Sequence, residues 1–245
     1  MDASKTIIPE LIVIGAGPGD PELLTMKGYK ALQEADVVLY DNLANKELLK
    51  FVREDCEKQY VGKLPYGEYT PQETIHELIR EKAFSKGKVV RLKGGDPFIF
   101  GRGFEEILFA RKLGIRTSYI PGISTMQASG LEDVPLTHRN ISEGFWVMTG
   151  TKKDGSLTRD LQLAIQSRAT VVIYMGMKKL HSIMAIYRDQ GAGDMPAIII
   201  QHATLPNQKI IRGPIKDLPA LADEQRLSHP AIIIIGNVVN IENIQ

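Results

Sequence analysis

Two side chains in this 245-residue chain carry charges suited to moving protons and stand where apolar strands end. Asp41 closes the run Val37-Val38-Leu39-Tyr40, and Lys63 follows Tyr60-Val61-Gly62. A carboxylate and an ammonium brought to one sheet edge can exchange a proton with a ligand, each tuned by burial and by the other. An aspartate after a strand is equally a turn former, and a lysine there is equally a solubilising surface group. The stretch VRLKGGDPFIFGRG, residues 90–103, adds four glycines, three cations and one aspartate beside an apolar FIF. No Ser-His-Asp or Cys-His arrangement offers a covalent nucleophile, and the histidines show no HxxxH or HExxH spacing, so no metal site is expected. Cys56, the single cysteine, excludes an internal disulfide and reads as incidental.

These groups need elements that collect them. Leu11–Ile14, Val37–Tyr40, Tyr60-Val61, Val89–Leu92 and Thr117–Ile120 are short apolar runs that read as strands. Met26–Ala35, Pro71–Phe84 and Phe104–Lys112 show helical spacing between them, the second with Thr70 as N-cap, Pro71 at the first position and Glu73 completing a capping box. Alternation of this kind predicts a largely parallel sheet with both faces covered, whose ligands sit at the carboxyl ends of the strands. Those ends are Gly15–Asp20, Tyr40-Asp41, Gly62-Lys63 and Gly94–Asp96.

Beyond Pro121-Gly122-Ile123-Ser124 the texture changes. A small-residue helix, Thr125–Ser129, is followed by strand candidates at Phe145–Met148, Thr170–Tyr174, Ala197–Ile200, Lys209–Ile211 and Ala231–Ile235. Only Leu157–Gln166 and Leu180–Arg188 read as helices among them, which predicts some antiparallel pairing. The expected organisation is α/β in two domains: 1–121 with a mostly parallel sheet, 125–245 with a mixed sheet, and a hinge at 121–125.

The loop Gly15-Ala16-Gly17-Pro18-Gly19-Asp20 invites a dinucleotide reading and fails it on spacing. Asp20 occupies the position of the third glycine, and Pro18 has no N–H for a phosphate. There is no GxxxxGK[ST] for a nucleoside triphosphate. Composition adds exclusions: 43% hydrophobic and 24% charged residues with a net charge of +1 give no global pull toward nucleic acid or an anionic membrane. No apolar run reaches the ~18 residues of a spanning helix, and the amino end carries no signal-like pattern, so a cytoplasmic location is expected.

Taken in order, GAGPGDPELLT (15–25), ADVVLYD (35–41), VGK (61–63), VVRLKGGDPFIFGRG (89–103), PGIS (121–124), PLTHR (135–139) and YMGM (174–177) resemble the tetrapyrrole methylase superfamily over about residues 10–240. RLKGGDPFIFGRG with PLTHR narrows the resemblance to its uroporphyrinogen-III C-methyltransferases. The resemblance implies a homodimer of two-domain subunits with S-adenosylmethionine in the cleft between domains. It also implies methylation of uroporphyrinogen III at C2 and C7, giving precorrin-2 by way of precorrin-1 for sirohaem and cobalamin. The alternative is a precorrin C-methyltransferase acting on a later cobalamin intermediate. Cofactor contacts carry over to Pro18, Gly94, Gly95, Asp96, Ile99, Ser124, Thr125, Met175 and Ala203, and the proton acceptor and donor to Asp41 and Lys63. A carboxylate-rich substrate calls for cations around its site, and Arg91, Lys93, Arg102 and Arg139 are the candidates. The chain departs from the superfamily pattern at 64–71, at 130–134 and at Ala203, where relatives carry glycine.

Overall fold

In a computed structural model of the chain, residues 7–62 and 70–243 are described. The chain divides into two units, the first ending at Ser124 and the second beginning at Thr125.

The first unit is built on five parallel strands: β1 (Glu10–Gly15), β2 (Val37–Tyr40), β3 (Glu57–Tyr60), β4 (Lys88–Lys93) and β5 (Arg116–Ile120), in the order β3-β2-β4-β1-β5. Three helices cover it: α1 (Met26–Gln33), α2 (Gln72–Lys86) and α3 (Gly103–Lys112). Period-two alternation sorts the strand side chains. Ile12, Ile14, Val38, Val90 and Leu92 pack with Ala31 and Leu32 of α1, whereas Leu11, Val13, Val37, Leu39 and Val89 pack with Ile75, Ile79, Ile107 and Ala110 of α2 and α3. The chain runs from β1 outward to β2 and β3, then returns to β4 beside β1 and leaves for β5 on the other side. The β1-to-β2 connection therefore crosses β4 on the α1 face and the β4-to-β5 connection crosses β1 on the α3 face, which sets the carboxyl ends of β1 and β4 side by side in the middle of the sheet.

Thr25 caps α1, its hydroxyl accepting from the Gly28 N–H at 3.1 Å. The expected capping box of α2 is absent. Pro71 is the N-cap and has no polar side chain to make a cap bond, and the Thr70 hydroxyl donates to the Gly62 carbonyl at 2.7 Å.

The second unit has five strands, β6 (Phe145–Thr149), β7 (Thr170–Tyr174), β8 (Pro196–Gln201), β9 (Lys209–Pro214) and β10 (Ala231–Ile235), ordered β6-β7-β10-β8-β9. Only β6 and β7 pair in parallel; β10 runs antiparallel to β7 and β8, and β9 antiparallel to β8. The expected mixed sheet is present. Three helices accompany it: α4 (Leu161–Gln166), α5 (Leu180–Asp189) and α6 (Leu218–Glu224). Helix α4 is shorter than its periodicity suggests, and α6 escapes the sequence reading because LPALADE is short and opens on a proline. Thr125–Glu132 forms a 3₁₀ turn. Among the described residues no helix is long and apolar enough to cross a membrane, and no cluster of side chains could hold a metal ion.

Candidate active site

At the carboxyl edge of the first sheet, three glycine-bearing loops lock together through their backbones. Gly17 and Gly95 form a two-sided bridge, with Gly95 N–H on Gly17 O at 2.7 Å and Gly17 N–H on Gly95 O at 3.3 Å. Ala16 N–H meets Lys93 O at 2.7 Å. A β-carbon at Gly94 would stand 2.5 Å from the Leu43 β-carbon, and one at Gly122 would stand 2.2 Å from Gly95 O. The bareness of Gly94 and Gly122 is thus required by the neighbouring chain, Leu43 in one case and the Gly95 carbonyl in the other.

Asp96 ties the same loops together. Its buried carboxylate accepts from the Phe98 N–H (2.8 Å), the Tyr119 hydroxyl (2.5 Å) and the Gly122 N–H (3.1 Å). Burial and the bond to Asp96 both push the Tyr119 phenol up in pKa, so it stays a donor. Phe98 stacks on Tyr119 with ring centroids 3.8 Å apart. The Asp20 carboxylate caps its own short turn, accepting from Glu22 N–H at 2.9 Å.

Beneath this edge lies a buried charge cluster. Arg91 and Lys93 alternate with Val89 on the α2/α3 face of β4, and both are almost inaccessible. Arg91 Nη2 donates to Asp41 Oδ2 at 2.9 Å, its Nε to Glu106 Oε1 at 3.3 Å, and its Nη1 to the Leu92 and Leu39 carbonyls. Lys93 Nζ reaches the same Glu106 oxygen at 3.2 Å, as does Gln72 Nε2 from α2 at 3.2 Å. Asp41 Oδ1 accepts from Leu43 N–H at 3.0 Å. Burial acts to raise the Asp41 pKa, but Arg91 and Lys93 outweigh it and hold the carboxyl below its ordinary value. Lys93 moves the other way from a solvated lysine: burial and the Arg91 charge lower it, only partly offset by Glu106 and Asp41.

Asp41 therefore stands at a strand end, ionised and oriented. Lys63 lies outside the described residues, as does most of the 64–71 departure. Arg91 and Lys93 make internal contacts. Arg102, at the left-handed N-cap of α3, grips Glu105 through two bonds of 2.9 and 2.6 Å. Arg139 is exposed. Pro18 and Ile99 are half-buried at the glycine loops, and Ser124 is buried at the end of the unit.

The second unit gathers its candidates at one edge of its sheet, where β7 and β8 both end. Tyr174 and Gln201, their last residues, pair with neighbouring residues of β10, Ile232 and Ala231. Met175 follows β7 with φ +54° and is 52% exposed, while Thr151 donates to its carbonyl at 3.0 Å. His202 and Thr204 also lie in the left-handed region, at φ +51° and +66°, with buried Ala203 between them outside it. The methyl at Ala203 is accommodated because its own φ is not positive. The Tyr174 hydroxyl accepts the Met126 N–H at 2.9 Å, which brings the turn beginning at Thr125 to this edge.

Glu106 and Gln72 are the members of the charge cluster that the sequence does not single out. Glutamate in a surface-type helical pattern, GFEEILFARK, gives no sign that one of two adjacent acids is wholly buried; its i,i+1 partner Glu105 is half exposed.

Comparison with known proteins agrees with this geometry. The profile of Tetrapyrrole (Corrin/Porphyrin) Methylases matches residues 10–219. A uroporphyrinogen-III C-methyltransferase of Methanocaldococcus jannaschii is 40% identical over 235 residues, 95% of this chain and 97% of its own. A siroheme synthase of Chromobacterium violaceum is 41% identical over 231 residues, but the chain spans 49% of that longer protein. Among solved structures, uroporphyrin-III C-methyl transferase from Thermus thermophilus complexed with S-adenyl homocysteine aligns with a TM-score of 0.80 at 36% identity, covering 95% of this chain and 99% of its own. The parallel sheet with its interlocked glycine loops, the mixed sheet with its left-handed strand ends, and a match running nearly end to end together mean that the chain belongs to the tetrapyrrole (corrin/porphyrin) methylases.

Proposed function

We propose that this protein is an S-adenosylmethionine-dependent uroporphyrinogen-III C-methyltransferase, methylating C2 and C7 to give precorrin-2 through precorrin-1. The observation that carries the reading is Asp41. It is a carboxylate held ionised by Arg91 at the carboxyl edge of a parallel sheet, in a chain 40% identical over 95% of its length to an enzyme of that name.

The glycine loops suit a cationic cofactor and not an anionic one. The Ala16 and Gly17 N–H groups, which a phosphate would need, are bonded to Lys93 and Gly95 carbonyls, and Asp20 and Asp96 place negative charge nearby. The first unit offers Pro18, Gly94, Gly95, Asp96, Ile99 and Ser124 for S-adenosylmethionine, and the second offers Thr125, Met175 and Ala203. When bound, this cofactor supplies a methyl group activated by a sulfonium.

The protein then has to align the electron-rich pyrrole carbon with that methyl, exclude water and take up the proton released as the new C–C bond forms. Asp41 accepts that proton. Lys63 is the proposed donor, and Arg102 and Arg139 are proposed to meet substrate carboxylates. Within the cell the enzyme is proposed to be a cytoplasmic homodimer, which light scattering checks. Incubation with labelled S-adenosylmethionine and uroporphyrinogen III tests the activity: a product heavier by two methyl groups is expected, and no methyl transfer overturns the reading.

A further inference from the structure

Glu106 occupies an unusual position for a helix glutamate. It has no exposed surface, one carboxylate oxygen collects Gln72, Arg91 and Lys93 at 3.2–3.3 Å, and the other oxygen is buried without a hydrogen-bond partner among the described residues. Burying a carboxylate in this way is costly and persists only where opposite charge compensates it. Here the compensation comes from the two cations that flank Asp41.

We propose that Glu106 is a positioning residue of the methyl-transfer site: from the buried face of α3 its carboxylate aims Arg91 at Asp41 and keeps the Lys93 ammonium beside them. The inference rests on Asp41 being the proton acceptor. The geometry supplies the mechanism. The Arg91 fork is held on both sides, Nε by Glu106 and Nη2 by Asp41, while Nη1 is fixed by two carbonyls, so the guanidinium has one orientation. The four formal charges, Asp41 and Glu106 against Arg91 and Lys93, sum to zero. Removing the Glu106 charge leaves two buried cations facing one anion. Arg91 then loses its second anchor, and Asp41 becomes a weaker base because Glu106 no longer partly neutralises the Arg91 and Lys93 charges beside it.

The charged and titratable groups around this cluster are Asp41 after β2, Arg91 and Lys93 on β4, Glu106, Glu105 and Arg102 on α3, and Glu73 and His76 on α2 beside Gln72. Lys63, after β3, lies outside the described residues. Glu106 is the only one of these acids wholly without exposure, so its loss is the least screened by solvent.

The experiment uses the full-length protein with uroporphyrinogen III and S-adenosylmethionine, comparing wild type, Glu106→Gln and Glu106→Asp. In Glu106→Gln, kcat is expected to fall about tenfold or more, with S-adenosylhomocysteine affinity unchanged. The Lys93 side chain, followed by carbon-13 NMR of labelled lysine, is expected to titrate about one pH unit lower. Glu106→Asp, which keeps the charge but is one methylene shorter, is expected to lose kcat while Lys93 titrates as in wild type. Wild-type kcat in either variant, or the same Lys93 titration in Glu106→Gln as in wild type, overturns the proposal. Should Glu106→Gln not accumulate as folded protein, Glu106→Asp decides alone through kcat. Absence of methyl transfer by the wild type would instead remove the assigned activity, so the two failures are told apart.

Discussion

A β-carbon placed on Gly15 would lie 2.4 Å from the Cα of Gly122 and 2.6 Å from Gly95 O. The last residue of β1, the loop after β4 and the loop after β5 therefore touch backbone to backbone, and Asp96 laces them with bonds to Tyr119 and the Gly122 N–H. Side-chain rotation cannot relieve a clash with main chain.

Gly15→Ala is accordingly expected to destabilise the protein by about 3 kcal/mol, the upper range for overpacking, and to abolish cofactor binding. Gly130→Ala, where an added β-carbon meets nothing within 4 Å, serves as the comparison. Urea denaturation of the two variants checks the difference; equal midpoints would show that the loops can part.

Asp41→Asn is expected to lower turnover by about two orders of magnitude or more while leaving S-adenosylhomocysteine binding intact, measured by calorimetry. It also changes the pH dependence of stability. The folded pKa of Asp41 is depressed below 3.8, so its ionised form stabilises the fold above that value and the contribution is lost as pH falls through the folded value. The stability gap between wild type and Asp41→Asn should then be present at pH 6 and shrink below about pH 3.8. A gap independent of pH would mean that the Asp41–Arg91 pair adds nothing.

Cys56 is 5% exposed, and burial raises its thiol pKa. A disulfide reagent at neutral pH should modify the native protein at least about a hundredfold more slowly than the unfolded chain, since the thiolate is the reactive form. Rapid native labelling followed by absorbance would contradict the buried placement.

Arg139→Ala should raise KM for the tetrapyrrole by about tenfold while changing KM for S-adenosylmethionine far less, because the role proposed for this exposed arginine is to meet the substrate carboxylates. Initial rates with each substrate varied in turn check this. Unchanged constants for both would remove Arg139 from substrate binding.

Local pattern carried much of the fold into view. Val37–Tyr40, Thr170–Tyr174 and Ala231–Ile235 are strands over the same residues that their apolar runs mark, because a buried strand needs little beyond a short β-branched run between breakers. Helix ends were less legible. Thr70 has the right chemistry for an N-cap, yet a carbonyl at Gly62 lies in reach and takes its hydroxyl. Helix α6 was hidden by its brevity, since seven residues give barely two turns of periodicity.

Residue types along the chain were enough to place glycine and charge at the carboxyl ends of parallel strands, with Asp41 among them, because strand ends and breakers are written locally. What those groups touch is set by the folded arrangement. Arg91 and Lys93 face inward, where Asp41 from the end of β2 and Glu106 from α3 balance them. Gly15, Gly94 and Gly122 are bare because backbone from other loops fills the space. Charge pairing and close backbone contact depend on distances between segments far apart along the chain, and no local pattern of residue types encodes those distances.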